Sequence, residues 1–258
     1  MGEPIKRKYV VEEVVNLQLL ELYLEIIPNT INQKRPQLNK PDIQIIETED
    51  GSKSVYSNIL NETYHSKHGA IQESMHVFIN SGLLEVACNI NQINILEVGF
   101  GTGLNSLLTL KKCDELQLKV DYYALEPFPL PKEITSNLDY NIMDDRFGLF
   151  HILDNSNQVI NDHFQLFRIN KLLEDFINIV RFDLVYYDAF GPPVQPEMWE
   201  LEVFEKLFLM MNAGGIIVTY CAKGSVRRSM IEAGFTIERL QGPPGKREML
   251  RGTKPIEK

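Results

Sequence analysis

The run Ile95-Leu96-Glu97-Val98-Gly99-Phe100-Gly101-Thr102-Gly103 decides how the rest of the chain is read. Residues suited to a buried strand lead into glycines at every second position, and Leu104 to Leu110 then has a helical composition. Glycine permits a tight strand-to-helix turn and lets a ligand lie against bare backbone. The N–H groups of the first helical turn are open to a carboxylate or phosphate. Dinucleotide-binding loops place a third glycine three residues after the second. Here the spacing is Gly-x-Gly-x-Gly, with the acidic Glu97 two positions before the first glycine. The pattern favours S-adenosylmethionine over NAD and puts Glu97, Gly99, Gly101, Gly103 and Asn105 at the cofactor.

Outward from this loop, from Ile93 on, short apolar runs alternate with helical patterns, the rhythm of βαβ units and a parallel sheet. Strands are predicted at Asn94 to Val98, Val120 to Glu126, Phe164 to Ile169, Phe182 to Asp188, Gly215 to Tyr220, Phe235 to Leu240 and Glu248 to Arg251. The fold class that follows is α/β, a doubly wound seven-stranded Rossmann-like sheet of the class I methyltransferase type over residues 91–258. Ligands of such sheets lie beyond the carboxyl ends of the strands. Glu126, where the second strand finishes, is placed to accept both ribose hydroxyls. Phe128, in the stiff Pro127-Phe128-Pro129 run, either lines an adenine pocket or packs in the core. Asp188 ends an apolar strand beside the glycine loop, at the point of transfer, unless it merely caps the next turn.

Residues 1–90 read as an α+β extension. Tyr9 to Ile27 has apolar residues at helical spacing (Val11, Val14, Val15, Leu19, Leu22, Ile26) and stops before Pro28. A polar linker, Asn29 to Asp42, follows. Ile43 to Thr48 and Lys53 to Ser57 flank an Asp50-Gly51 turn and predict a β-hairpin, and Ala70 to Asn80 predicts a helix.

The chain of 258 residues is 44% hydrophobic and 24% charged, which suits one sizeable core. Its apolar runs are too short to cross a bilayer, and no apolar segment follows the basic start, so neither anchoring nor secretion is expected. Cys88, Cys113 and Cys221 are odd in number and far apart, which suits a reducing cytoplasm. His65, His68 and His76 with Glu73 match no established metal spacing, and no metal is expected. The net charge of −9 is unevenly spread. From Ala222 on there are nine basic and four acidic residues, giving +5 there and −14 elsewhere. Such an end either presents a positive patch to phosphates or is a solvated tail.

Four stretches together resemble a known family: Tyr64-His-Ser-Lys-His-Gly-Ala-Ile-Gln-Glu-Ser-Met-His-Val-Phe78, Glu97 to Asn105, Asp188-Ala-Phe-Gly-Pro-Pro-Val-Gln-Pro-Glu-Met-Trp199, and Gly224-Ser-Val-Arg-Arg-Ser-Met-Ile-Glu-Ala-Gly-Phe235 with Gly245-Lys-Arg-Glu-Met-Leu250. The chain is similar, over most of residues 43–253, to the methyltransferases that finish the methylaminomethyl group on the wobble uridine of bacterial tRNAs (MnmD, or the methyltransferase half of bifunctional MnmC). The resemblance implies that Gly99, Gly101, Gly103 and Glu126 hold S-adenosylmethionine, that Asp188 sits at the transfer site, and that tRNA is the partner. Tyr64, Ser66 and Glu73 belong to its first stretch and are candidate substrate residues. Arg227, Arg228, Lys246 and Arg247 are candidates for phosphate contacts, with a role in solubility as the alternative. Many relatives carry an acidic residue for the adenine amine at the end of the third strand. This chain has Arg168-Ile169-Asn170 there, which passes that contact to backbone or to Asn170. The bifunctional relatives also have a flavin-dependent half that needs a second glycine-rich loop. None is visible here, so methyl transfer alone is expected.

Such a transfer is an in-line displacement that chiefly needs alignment and tolerance of a moving charge. An alkylamine near pKa ~10 is not deprotonated in bulk by an Asp near ~4, so Asp188 is assigned to orienting the amine and stabilising its cationic product. The rivals are an aminopropyltransferase of the spermidine synthase type, which would favour a closed acidic pocket, and a non-catalytic RNA-binding accessory protein, which would have no need of both Glu126 and Asp188.

Overall fold

An Asp-Gly turn closes the first hairpin. Ile43–Glu47 (β1) pairs antiparallel with Lys53–Ser57 (β2), and Glu62–Thr63 (β3) adds a short third strand. Asp50 Oδ1 accepts from Thr48 Oγ1 at 2.7 Å and from the Ser52 N–H at 3.0 Å, while Oδ2 accepts the Gln72 N–H at 3.0 Å. The turn thus ties the hairpin to the helix that follows. The computed structural model describes residues 43–151, 157–177 and 180–256. The chain divides into Met1–Gln37 and Leu38–Lys258, and every described residue belongs to the second unit. The helix expected at Tyr9 to Ile27 and the linker expected up to Asp42 lie outside the described residues.

The helix expected from Ala70 starts there but continues past Asn80, because Val77, Phe78, Ile79, Leu83 and Val86 all stay buried. It has three windings: an α-turn Ala70–Ser74, a π-helical stretch Met75–Leu83, and an α-turn Leu84–Ala87 (together α1). A Cβ on Gly82 would come within 3.0 Å of Val218 Cγ2, so the lack of a side chain there lets α1 lie close on the sheet.

The sheet is built from Gln92–Val98 (β4), Lys119–Leu125 (β5), Asn157–Val159 (β6), Phe164–Ile169 (β7), Phe182–Tyr187 (β8), Met211–Thr219 (β9), Thr236–Gln241 (β10) and Glu248–Thr253 (β11). Their order is β10-β11-β9-β8-β4-β5-β7-β6. The five strands from β9 to β7 run parallel, and both edges are antiparallel. Strands buried on both faces need consecutive apolar residues, and β8 supplies them. Leu184 and Tyr186 face one core with Ile93, Ile95, Tyr122 and the helix Leu104–Leu116 (α2). Val185 and Tyr187 face a second core with Leu96, Val98 and the helices Leu201–Met210 (α3) and Gly224–Glu232 (α4).

All seven expected strands are present, with ends that shift by a few residues. β9 starts at Met211 rather than Gly215, since Met211 pairs with Phe182 across an irregularity between Phe182 and Leu184. The added strand, β6, is a polar Asn-Gln-Val segment with no apolar alternation of its own. It is extended only because β7 offers it an edge.

Candidate active site

The strand order reverses at β4: β5, the next strand in the chain, lies on one side of it, and β8, which the chain reaches from β7, lies on the other. The crevice at the carboxyl ends of these strands is where an open α/β sheet binds its ligand. Backbone bonds lock the ends together: Gly99 N–H to Leu125 O at 3.1 Å, Glu126 N–H to Ile169 O at 3.0 Å and Asp188 N–H to Val98 O at 2.9 Å. Gly99, Gly101 and Gly103 all have positive φ, at 94°, 51° and 81°. At Gly99 a Cβ would also lie 2.5 Å from the Asp188 carbonyl oxygen. Glycine at that position therefore serves both the turn and the approach of the β8 end.

Asn105, in the first turn of α2, joins two carboxyls. Its Nδ2 donates to Glu97 Oε1 at 2.9 Å and to Asp188 Oδ2 at 2.8 Å. Glu97 is fully buried, and burial holds its carboxyl well above the usual range. Burial also pushes Asp188 up to about 7, with the charge of Glu73 acting the same way and the Asn105 bond and Lys246 opposing it. The loop after Asp188 is pinned by its own side chains. Trp199 Nε1 donates to Phe190 O at 2.8 Å, the Phe190 N–H to Gln195 Oε1 at 3.1 Å, and Tyr220 Oη to Ala189 O at 2.8 Å.

Glu126 follows β5 directly. Its carboxylate accepts the Gly101 N–H at 2.9 Å and the Phe128 N–H at 3.0 Å. Burial raises its pKa, against the pull of these two bonds and of Arg168. A carboxylate accepts about four hydrogen bonds, so the remaining lone pairs of Glu126 suit a ribose diol. Tyr64 lies over the loop from the other side. A Cβ on Gly101 would meet its ring at 3.0 Å, and Phe190 packs edge-on against it at 5.0 Å between centroids. Asn170 stands just past the end of β7. Arg168 turns away into the core, 4.8 Å from the Phe100 ring centre, and donates to Phe150 O at 3.0 Å.

The other expected residues divide into two groups. Glu73 of α1 is buried, accepts the Ser66 N–H at 2.7 Å through Oε2 and forms an ion pair with Lys246 through Oε1. Lys246 is thereby brought inward, its Nζ 3.8 Å from the centre of the Tyr220 ring. Arg247 is exposed and, with Lys223, Lys246, Pro192, Pro193 and Tyr220, lines a cleft of about 390 Å³. Arg227 and Arg228 lie on α4, half-buried and exposed. Tyr220 was not anticipated, and Lys223 only as one of the nine basic residues from Ala222 on. Tyr220 directly follows an apolar parallel strand, the signal that singled out Glu126 and Asp188, and would have been found by applying the same rule to β9.

The histidines serve other ends. His65 hydrogen-bonds Ser54 Oγ at 3.0 Å and Thr102 Oγ1 at 3.4 Å, and His151 Nε2 bonds the Thr102 carbonyl at 3.1 Å, so both prop up the glycine loop. His68 pairs with Glu49 at 3.0 Å, and His76 meets Gln241 O at 2.7 Å. Among the described residues no group of three or more His, Cys, Asp or Glu is placed to hold a metal, and no helix is long and apolar enough to cross a membrane.

Residues 160–255 match a family model described as S-adenosyl-L-methionine-dependent methyltransferase. The chain is 31% identical over 221 residues to the tRNA 5-methylaminomethyl-2-thiouridine biosynthesis bifunctional protein MnmC of Leptospira interrogans, covering 76% of this chain and 33% of that one. To its counterpart in Nitrosospira multiformis it is 28% identical over 218 residues, covering 78% and 35%. The chain thus spans about a third of the length of these relatives. The crystal structure of MnmC2 from Aquifex aeolicus superposes with a TM-score of 0.68 at 25% identity, covering 95% of this chain and 87% of that one. Spermidine synthase of Thermotoga maritima, at TM-score 0.53 and 12% identity over 83% and 70%, shares the fold. The glycine loop, the strand-end carboxyls and the sheet define an enzyme, a methyltransferase that uses S-adenosylmethionine. Within that class the chain is similar, over about three quarters of its length, to the MnmC proteins, and in fold to MnmC2.

Proposed function

We propose that this enzyme methylates the nitrogen of an aminomethyl group on the wobble uridine of tRNA, in the cytoplasm, giving 5-methylaminomethyl(-2-thio)uridine. The observation that carries the proposal is the Asp188 carboxyl. It is half-buried next to the glycine loop, oriented by Asn105 and under the influence of the Glu73 and Lys246 charges, and Lys246 also lines a cleft rimmed by Lys223 and Arg247. The names of the relatives point to the same modification.

Each part of the crevice takes a role. The glycine loop and Glu126 hold the cofactor, Glu126 through the ribose hydroxyls, and Phe128 and Asn170 stand where the adenine would lie. S-adenosylmethionine supplies, when bound, a methyl group on a sulfonium. Asp188 orients the amine so that its lone pair faces that methyl, and stabilises the positive charge that grows on nitrogen. At about 7 its pKa lies roughly three units below an alkylamine's, half the gap of an ordinary Asp. It therefore remains an orienting group, and one able to hold a proton briefly on its way to water.

Purified protein is incubated with S-adenosylmethionine and tRNA that carries aminomethyluridine, and the nucleosides are analysed by mass spectrometry. A nucleoside heavier by one methylene at the wobble position is expected. Spermidine made from putrescine and decarboxylated S-adenosylmethionine, or tRNA binding without turnover, would replace this function by one of its rivals.

A further inference from the structure

An ammonium group already sits in the pocket to which the proposed function brings an amine. Lys246 Nζ pairs with Glu73 Oε1 and lies 3.8 Å from the centre of the Tyr220 ring. Glu73 is walled in, its side chain 8% exposed against 32% for Lys246, and its second oxygen is occupied by the Ser66 N–H. The Tyr220 ring is held by its bond to Ala189 O, one residue past Asp188. A buried carboxylate on one side and an aromatic face on another is a composition that recognises alkylammonium ions.

We infer that Glu73 and Tyr220 form the subsite for the substrate's aminomethyl group, and that the Lys246 ammonium is a stand-in displaced when that amine enters. With the function proposed above as its basis, this assigns the residues that read the amine. The displaced side chain has a place to go, because Lys246 also lines the 390 Å³ cleft with Lys223 and Arg247 and can turn there to a phosphate of the incoming RNA. The exchange conserves charge at Glu73, one ammonium leaving as another arrives; the bound ammonium then gives up one proton, by way of Asp188 to water, to expose the lone pair that attacks. A lysine that served only to dock phosphates would have no reason to reach inward past two exposed neighbours to a buried glutamate.

The test is calorimetric binding of 5-aminomethyluridine, a nucleoside without phosphates, to the full chain saturated with S-adenosylhomocysteine. Lys246→Met and Lys246→Gln should bind it at least about tenfold more tightly than the unaltered protein, since a charge-assisted bond no longer has to be displaced. Glu73→Gln and Tyr220→Leu should bind it more weakly. Circular dichroism and affinity for S-adenosylhomocysteine check that each variant is folded. If neither Lys246 variant gains affinity, or if plain uridine gains equally, the stand-in assignment is overturned. Turnover of aminomethyl tRNA by the unaltered protein separates the two levels: activity without the gain rejects the stand-in alone, and inactivity rejects the function.

Discussion

Asp188 pays for its position with stability. A carboxyl whose folded pKa of about 7 lies above its ordinary 3.8 favours the fold in its protonated form. That contribution is complete below about pH 4 and is lost as pH rises through 7. Asp188→Asn should therefore raise the melting temperature at pH 8 by the equivalent of roughly 1–2 kcal/mol, after allowance for partial exposure, and leave it nearly unchanged at pH 4. The same variant should lower the single-turnover methylation rate by roughly 10²-fold while tRNA affinity holds, and the unaltered enzyme's kcat/KM should climb across pH 7 as Asp188 ionises. Thermal melts at the two pH values beside single-turnover assays decide this. An unchanged rate would remove Asp188 from the transfer site. The place of Asp188 is legible in the sequence, because an apolar strand beside a glycine loop can end in only one region of such a sheet. Its shifted acidity is not, because it comes from burial and from Glu73 on a distant helix. For Lys246 the sequence shows the charge and not the direction of the side chain, so a basic run reads outward when one member of it points in.

The glycine loop is an element whose sequence gives away its purpose but not its support. Thr102 is gripped by His65 from the segment after β3 and by His151 from the far side, and burial lowers their pKa values to about 4 and about 3. Both are neutral in the fold, whereas the unfolded chain takes up protons from about pH 6.5 downward. Their contribution is whole above 6.5 and drains away toward 4 and 3, so stability should fall by roughly 2–5 kcal/mol between pH 6.5 and 4.5. The folded protein's affinity for S-adenosylmethionine should hold over that range and fail only toward pH 4 and below, where the two rings that hold the loop take up protons themselves. His65→Gln, neutral at every pH, should flatten the slope of urea midpoint against pH; an equally steep slope would show that acid acts elsewhere. Spacing along the chain gave no hint of this, since these histidines come together only through the packing of three separate segments. The winding of α1 was hidden for a similar reason. Helical periodicity marks where it starts, but not that Met75–Leu83 is wound as a π-helix or that Gly82 lies against Val218 of the sheet.

Over the whole molecule the acidic and basic residues are sorted by what they meet. Of the basic residues from Ala222 on, Arg251 pairs with Glu85 and Glu238, Arg239 with Glu248, and Lys246 with Glu73, while Arg227, Arg228 and Arg247 lie on α4 and at the cleft. Removing those last three charges together should weaken tRNA binding and make log K against log salt shallower by roughly 2 to 3, because fewer counterions are released. A salt titration that returns the original slope would take these arginines out of the docking face. The layered sheet and its switch point could be read from the alternation of apolar runs. The closing of the site by residues far apart could not. Insertion of β11 between β9 and β10 means that the last strand described enters the interior of the sheet rather than its rim. On the ribosome, which releases the amino-terminal side first, the nascent chain will hold a complete glycine loop, Asp188 and Glu73 while Lys246 and β11 are still in the exit tunnel, with β9 as a bare apolar edge. Premature termination in that interval leaves a product that displays its cofactor loop but is open along β9, a natural client for chaperones and proteases.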